Sequence, residues 1–279
     1  MRIYGLDFTS APSRKKPLTL AECRLEDAVL EVQSFECLTT FQVFEDFLWC
    51  DGAWVCGMDF PFGQPRELIT ALEWPSKWDE YVAAVARHNK EDFENQVAEY
   101  MAGRDAGEKL LYRCTDRAAE AQSPMRFHGT PVGKMFYQGA PRLLRSGLSI
   151  QPCRPTDESR TVIEAYPALV ARRFLDRASY KDDARKKQTE DHRVARKQVV
   201  SGLRSEALKR TYGFVVEMDR SREREFVRDP AADALDSLLC AVQAAWAYTK
   251  RDENYGVPPE RDPDEGWILD PELLVNGKT

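Results

Sequence analysis

Two short segments of this chain repeat one pattern, Gly5-Leu6-Asp7-Phe8 and Gly57-Met58-Asp59-Phe60. Each closes an apolar run, over 2–8 and 54–60, and turn residues follow, Thr9-Ser10-Ala11-Pro12 and Pro61-Phe62-Gly63. That is the pattern of interior strands in a mixed or parallel sheet. Side chains alternate along a strand, so Asp7 shares a face with Gly5 and Ile3, and Asp59 shares one with Gly57 and Val55. Each acid has a side-chain-free residue behind it, which leaves room beside the carboxylate. Strands ending this way commit the chain to an α/β fold with acids where open sheets bind ligands.

The remaining pattern fills in that fold. Segments 18–25 and 28–38 read as a hairpin, followed by a short helix over 40–49 with Phe41, Phe44, Phe47 and Leu48 at helical spacing. Helices are expected over 66–72, 77–101, 168–175, 189–211 and 230–249, with a loop at 128–133 and a strand at 161–165. The third strand carries its own terminal acid, Glu164, in Val162-Ile163-Glu164-Ala165-Tyr166-Pro167. The expectation is one α/β domain over 1–279, with a mixed five-stranded sheet flanked by helices. Its core is 1–62 and 160–250, its helical insertion is about 63–159, and 251–279 forms a C-terminal strap.

The last helix opens on Asp229-Pro230, read as an N-cap and first-turn proline. Asp233 and Asp236 lie within it, three apart, on the side away from Leu235, Leu238 and Leu239. Neither has a basic residue four positions on, where Ser237 and Cys240 stand. A single strand-end acid is ordinarily a turn or helix cap, and acids in a first helical turn are favoured by the helix dipole. Several converging acids are another matter. Two carboxylates about 4 Å apart repel by roughly 4 kcal/mol at an effective dielectric near 20, so such a cluster requires counter-ions or shared protons. Mg²⁺ or Mn²⁺, which take oxygen ligands, suit it, and a carboxylate-bridged pair of ions can clamp a phosphodiester.

The formal net charge is −6, which argues against a generally cationic nucleic-acid coat. One stretch dissents. Residues 172–210 carry 13 Lys/Arg against six Asp/Glu, about +7, leaving about −13 on the rest. Lys186, Lys187, Arg193, Arg196 and Lys197 are the candidate phosphate contacts, the last three at helical spacings that let one helix present them together. A solvated helical face is the competing reading.

These pieces, strand-Asp, hairpin, helix, strand-acid and a final helix with Asp-x-x-Asp, resemble the ribonuclease H-like layout, nearest in its acids to RuvC-type resolvases. The wording Gly5-Leu6-Asp7, Met58-Asp59-Phe60-Pro61-Phe62-Gly63, Glu164-Ala165-Tyr166-Pro167, Lys186-Lys187-Gln188-Thr189, Arg193 and Asp233-Ala234-Leu235-Asp236-Ser237 is similar to a family of uncharacterised bacterial and archaeal proteins, described as predicted ribonuclease H-like nucleases. The similarity spans nearly the whole chain. The long insertion between the second acid and the third strand departs from a minimal ribonuclease H fold. The resemblance implies metal-ligand roles for Asp7, Asp59, Glu164 and the Asp233/Asp236 pair, and divalent-metal-dependent hydrolysis of nucleic-acid phosphodiesters. In that scheme Asp7 bridges two ions, Asp59 and Asp236 each hold one, and Glu164 or Asp233 completes a shell or orients the water.

Other chemistries have less behind them. His88, His128 and His192 lie in separate segments without a paired Ser or Cys nucleophile, and there is no Gly-x-x-x-x-Gly-Lys loop. The seven cysteines contain no Cys-x-x-Cys, so a zinc site is not expected and the thiols read as reduced. Asp7-Phe8-Thr9-Ser10 resembles the phosphate loop of actin-like kinases, which keeps a phosphotransferase as one alternative. A non-catalytic metal- or nucleic-acid-binding protein of the same fold is another. No apolar run nears the roughly 20 residues of a membrane span, and the first residues read as a strand rather than a leader. A cytoplasmic protein is expected, with nucleic acid as its partner, no membrane, and either a monomer or a homodimer.

Overall fold

In the computed structural model, which describes residues 1–176, 178–182 and 187–275, Arg2–Asp7 (β1), Leu18–Glu26 (β2) and Val29–Leu38 (β3) form an antiparallel meander. Helix α1 (Phe41–Leu48), capped by the Thr40 hydroxyl, leads to Trp54–Met58 (β4), which returns parallel to β1. Between β4 and Arg160–Glu164 (β6) lie α2 (Arg66–Ala71), α3 (Trp78–Val85), α4 (Lys90–Ala102), α5 (Cys114–Ala118), α6 (Val132–Ser146) and the edge strand β5 (Ser149–Gln151). After β6 come α7 (Pro167–Arg172), α8 (Glu190–Gly202), α9 (Glu206–Tyr212), β7 (Val215–Glu217), α10 (Arg220–Arg228), α11 (Asp233–Thr249) and α12 (Pro271–Val275).

Among the described residues the sheet has seven strands in the order β5-β6-β4-β1-β2-β3-β7, not the five expected. The two additions, β5 and β7, are three-residue edge strands, each pairing parallel with its neighbour. Runs that short have no readable alternation. Two expected helices are each divided by a capping side chain. Asn89 accepts from Asp92 N at 2.9 Å and separates α3 from α4, while Ser205 accepts from Leu208 N at 3.4 Å and separates α8 from α9. Helix α11 starts at Asp233 rather than after Asp229, which instead follows α10 and accepts from Ala231 N at 3.0 Å.

The sheet separates two apolar layers. Ile3, Val55 and Ile163 face α11, whose Leu235, Leu238 and Leu239 complete that side. Leu6, Met58 and Val162 face the opposite layer, with Phe8, Phe60, Phe62 and Phe136. The phenylalanine after each strand aspartate belongs to that second layer, and Phe8 and Phe60 pack against each other at a tilt of 41° with centroids 4.4 Å apart. Alternation thus assigns Asp7 and Asp59 to the α11 face and their neighbouring aromatics to the other. No helix among the described residues is long and apolar enough to cross a membrane.

Candidate functional site

The two glycines explain how α11 reaches the acids. A Cβ on Gly5 would stand 2.0 Å from the Ser237 carbonyl oxygen, and one on Gly57 would stand 2.3 Å from that of Cys240. The space behind each aspartate is therefore filled by the helix backbone, not left open beside the carboxylates. This approach seats Asp236, 1% exposed and one residue before Ser237, against the ends of β1 and β4. Far from lying on an outward face, Asp236 belongs to a helix buried almost all round.

Register decides which acids share the site. Leu6 pairs with Met58, and Asp59 N donates to Leu6 O at 3.0 Å, so Asp7 and Asp59 are the next rank of adjacent parallel strands. Met58 in turn pairs with Glu164. Glu164 is thus one residue out of step with the two aspartates, and Ala165 takes the position in their rank. Its carboxylate turns to the other face, where Arg113 donates to Oε1 at 2.6 Å and Oε2 at 2.8 Å, and Phe62 N donates to Oε2 at 2.9 Å. Asp116 holds the same guanidinium at 2.7 and 3.0 Å, and all three side chains are at most 2% exposed. Glu164, expected in the ligand set, is instead placed with its oxygens in a buried ion pair.

The carboxylates that do converge are Asp7, Asp59 and Asp236, with Asp233 at the margin. Lys181 Nζ donates to Asp236 Oδ2, and Tyr180 Oη donates to Asp236 Oδ1 at 2.6 Å. Asp236 thus has a basic partner after all, from a segment 55 residues earlier in the chain. The segment is clamped in turn: Arg196 Nη1 donates to Tyr180 O at 2.8 Å, and Gln188 Nε2 donates to Asp182 O at 2.7 Å. Asp7 and Asp59 are half-buried and have no hydrogen-bonded side-chain partner among the described residues. Burial, then the Asp236 charge, holds the Asp7 carboxyl well above the usual carboxylate range, against the pull of Lys181. The same two causes push Asp59 up to about 7. Burial also raises Asp233. Lys181, although burial works against its charge, is raised by Asp236 and Asp7.

Oxygen donors of this kind suit a hard cation such as Mg²⁺ or Mn²⁺. Among the described residues, however, no group of three or more His, Cys, Asp or Glu is already arranged to hold a metal. A lysine ammonium pairs with Asp236 instead. The donor chemistry fits a divalent ion, on the condition that Asp236 exchanges Lys181 for it.

The basic stretch is only partly surface. Arg196 is 3% exposed and its guanidinium donates to Tyr180 O, to Val227 O at 3.1 Å and to Gln188 Oε1 at 3.4 Å, so α8 does not present it with Arg193 and Lys197. This corrects its assignment to a phosphate track. Lys187 and Lys197 are exposed, and exposed Arg193 pairs with Glu190. Lys186 lies outside the described residues.

Sequence patterns had not pointed to Tyr180, Lys181, Arg113 or Asp116. For Lys181 no local signal exists, because its partner lies far along the chain. For Arg113 and Asp116 the only trace is their spacing of three, matching the capping of α5 in which Arg113 N donates to Asp116 Oδ2 at 2.9 Å.

Neither a curated protein nor a solved structure matches this chain. One family model does, described as protein of unknown function (DUF429), over residues 5–263. Both strand aspartates and α11 lie within the matched region.

Proposed function

We propose that this chain, which belongs to the DUF429 family, is a divalent-cation-dependent nuclease of ribonuclease H-like fold, hydrolysing phosphodiesters at the Asp7, Asp59 and Asp236 cluster. The observation that carries the reading is convergence: three carboxylates from two adjacent strand ends and one helix meet, with the Lys181 ammonium on Asp236. Strand order β3-β2-β1-β4-β6, with an antiparallel meander, parallel β4 and β6 and a C-terminal helix across one face, supports the fold assignment.

Asp7, Asp59 and Asp236 would hold the Mg²⁺ or Mn²⁺, and Asp233 would orient water at the margin. A divalent ion there supplies Lewis-acid stabilisation of phosphoryl charge and an acidified water. The protein's part is positional. Gly5 and Gly57 let α11 bring Asp236 to the strand ends, and the Lys181 ammonium, once released from Asp236, stands ready to meet phosphate charge. Lys187 and Lys197 are placed to contact flanking phosphates in this reading, since an ion at the scissile group leaves neighbouring phosphates unneutralised.

One observation favours a second reading. Asp236 is already satisfied by Lys181 and Tyr180, so the cluster could be a self-neutralised structural core with no turnover. The purified chain should cleave at least one of single-stranded, duplex, hybrid or junction substrates in Mg²⁺ or Mn²⁺. Asp7→Asn should abolish cleavage without lowering thermal stability. No cleavage of any substrate, together with no detectable Mn²⁺ binding, would leave the structural reading in place.

A further inference from the structure

Asp59 faces two environments. Besides belonging to the aspartate cluster, Asp59 lines a cavity of about 240 Å³ on the side of β4 toward the insertion. Phe60, Pro61, Met135 and Tyr166 supply apolar and aromatic wall, and Gln122 and Thr130 supply polar groups toward the rim. The cavity lies below the roughly 300–1,000 Å³ of pockets that enclose drug-sized ligands, so it suits one ring system and not a base pair.

Charge narrows the occupant. Arg113 also lines the cavity, but its guanidinium is spent on Asp116 and Glu164, two carboxylates against one cation. With Asp59 added, the walls carry an excess of negative charge. A phosphate would be repelled there, whereas a neutral flat ring bearing N–H donors could place them on Asp59 and its faces on Phe60, Met135 and Tyr166.

We infer that this cavity takes a single unpaired nucleobase, next to the phosphate on which the aspartate cluster would act. The setting rests on the nuclease reading; the pocket itself rests on its own size, walls and charge. A base can enter only from a single strand or after leaving its duplex, because a paired base is held edge to edge with its partner. The substrate class is therefore an unpaired or extruded nucleotide.

Titration of adenosine and of free ribose into the metal-free full chain, by calorimetry or saturation-transfer NMR, tests this directly. Adenosine should bind and ribose should not, with Met135→Trp weakening adenosine at least tenfold by filling the cavity. Thr130→Trp, at an exposed rim position, should weaken it similarly and guards against misfolding of the first variant. Adenosine binding no better than ribose, or binding unchanged in Thr130→Trp and in folded Met135→Trp, would overturn the inference. A parallel Mn²⁺ titration separates the two proposals. Loss of Mn²⁺ binding with adenosine binding intact would count against the metal site alone, and the reverse against the pocket alone.

Discussion

Glu164 stands in register with Met58, not with Asp59, and that one-residue offset sends its carboxylate through the sheet to Arg113. Removing one member of a buried pair leaves an uncompensated charge, at a cost of about 3–5 kcal/mol. Arg113→Met should therefore destabilise the protein by that order in denaturant melts, since both Glu164 and Asp116 lose their cation. Glu164→Gln should also destabilise it while leaving Mn²⁺ affinity unchanged. A large loss of Mn²⁺ affinity in Glu164→Gln would return that residue to the ligand set.

Lys181 is the counter-ion that a metal would have to replace at Asp236. Lys181→Met should lower the stability of the metal-free protein and tighten Mn²⁺ binding about tenfold or more, a gain of roughly 1.4 kcal/mol. Calorimetric titration of Mn²⁺ reads this without any activity assay. Weaker Mn²⁺ binding in the variant would mean that Lys181 supports the site and does not compete for it.

Helix α11 has no room to retreat. Gly5→Ala would press a methyl group within 2.0 Å of the Ser237 carbonyl oxygen and 2.2 Å of Ala241 N, both backbone atoms. Overpacking of this kind typically costs about 1–3 kcal/mol, and a clash with helix backbone belongs at or above the upper end. Melting curves should show that loss, and Mn²⁺ affinity should fall with it as Asp236 moves off the strand ends.

Within the basic stretch, burial separates two roles. Arg196→Ala should destabilise the fold and disturb the Tyr180–Lys181 segment it holds. Lys187→Ala and Lys197→Ala should leave stability nearly unchanged. If those lysines contact phosphates, each loss should flatten the log-log salt dependence of nucleic-acid binding by about 0.7–0.9. An unchanged slope in the double variant would assign them to a solvated face.

Asp59, raised to about 7 by burial and Asp236, makes metal-free stability depend on pH. Its folded pKa exceeds the unfolded carboxylate value, so between about pH 4 and 7 the folded state binds the extra proton. Stability should accordingly fall as pH rises through that window, with a slope approaching about 1.4 kcal/mol per pH unit for one proton. Asp7, raised in the same direction, adds to the effect. Asp59→Asn should flatten the slope in denaturant melts run from pH 4 to 7.5, and an equally steep slope in that variant would reject the assignment.

Local pattern was enough for the strands that carry Asp7, Asp59 and Glu164, the hairpin between β1 and β4, and the helix bearing Asp233 and Asp236, because period and turn residues are written along the chain itself. The matched Gly-x-Asp-Phe words also marked the two acids that do share a face. What the sequence could not carry was register and distance. Three strands can each end in an acid, yet a shift of one residue between neighbours reverses the face, and only pairing across the sheet decides it. The same holds for the ammonium that meets Asp236 and for the buried guanidinium of Arg196. Their partners lie 55 and 16 residues away in sequence, and contacts at such separations follow from packing the elements together, not from any periodicity within them.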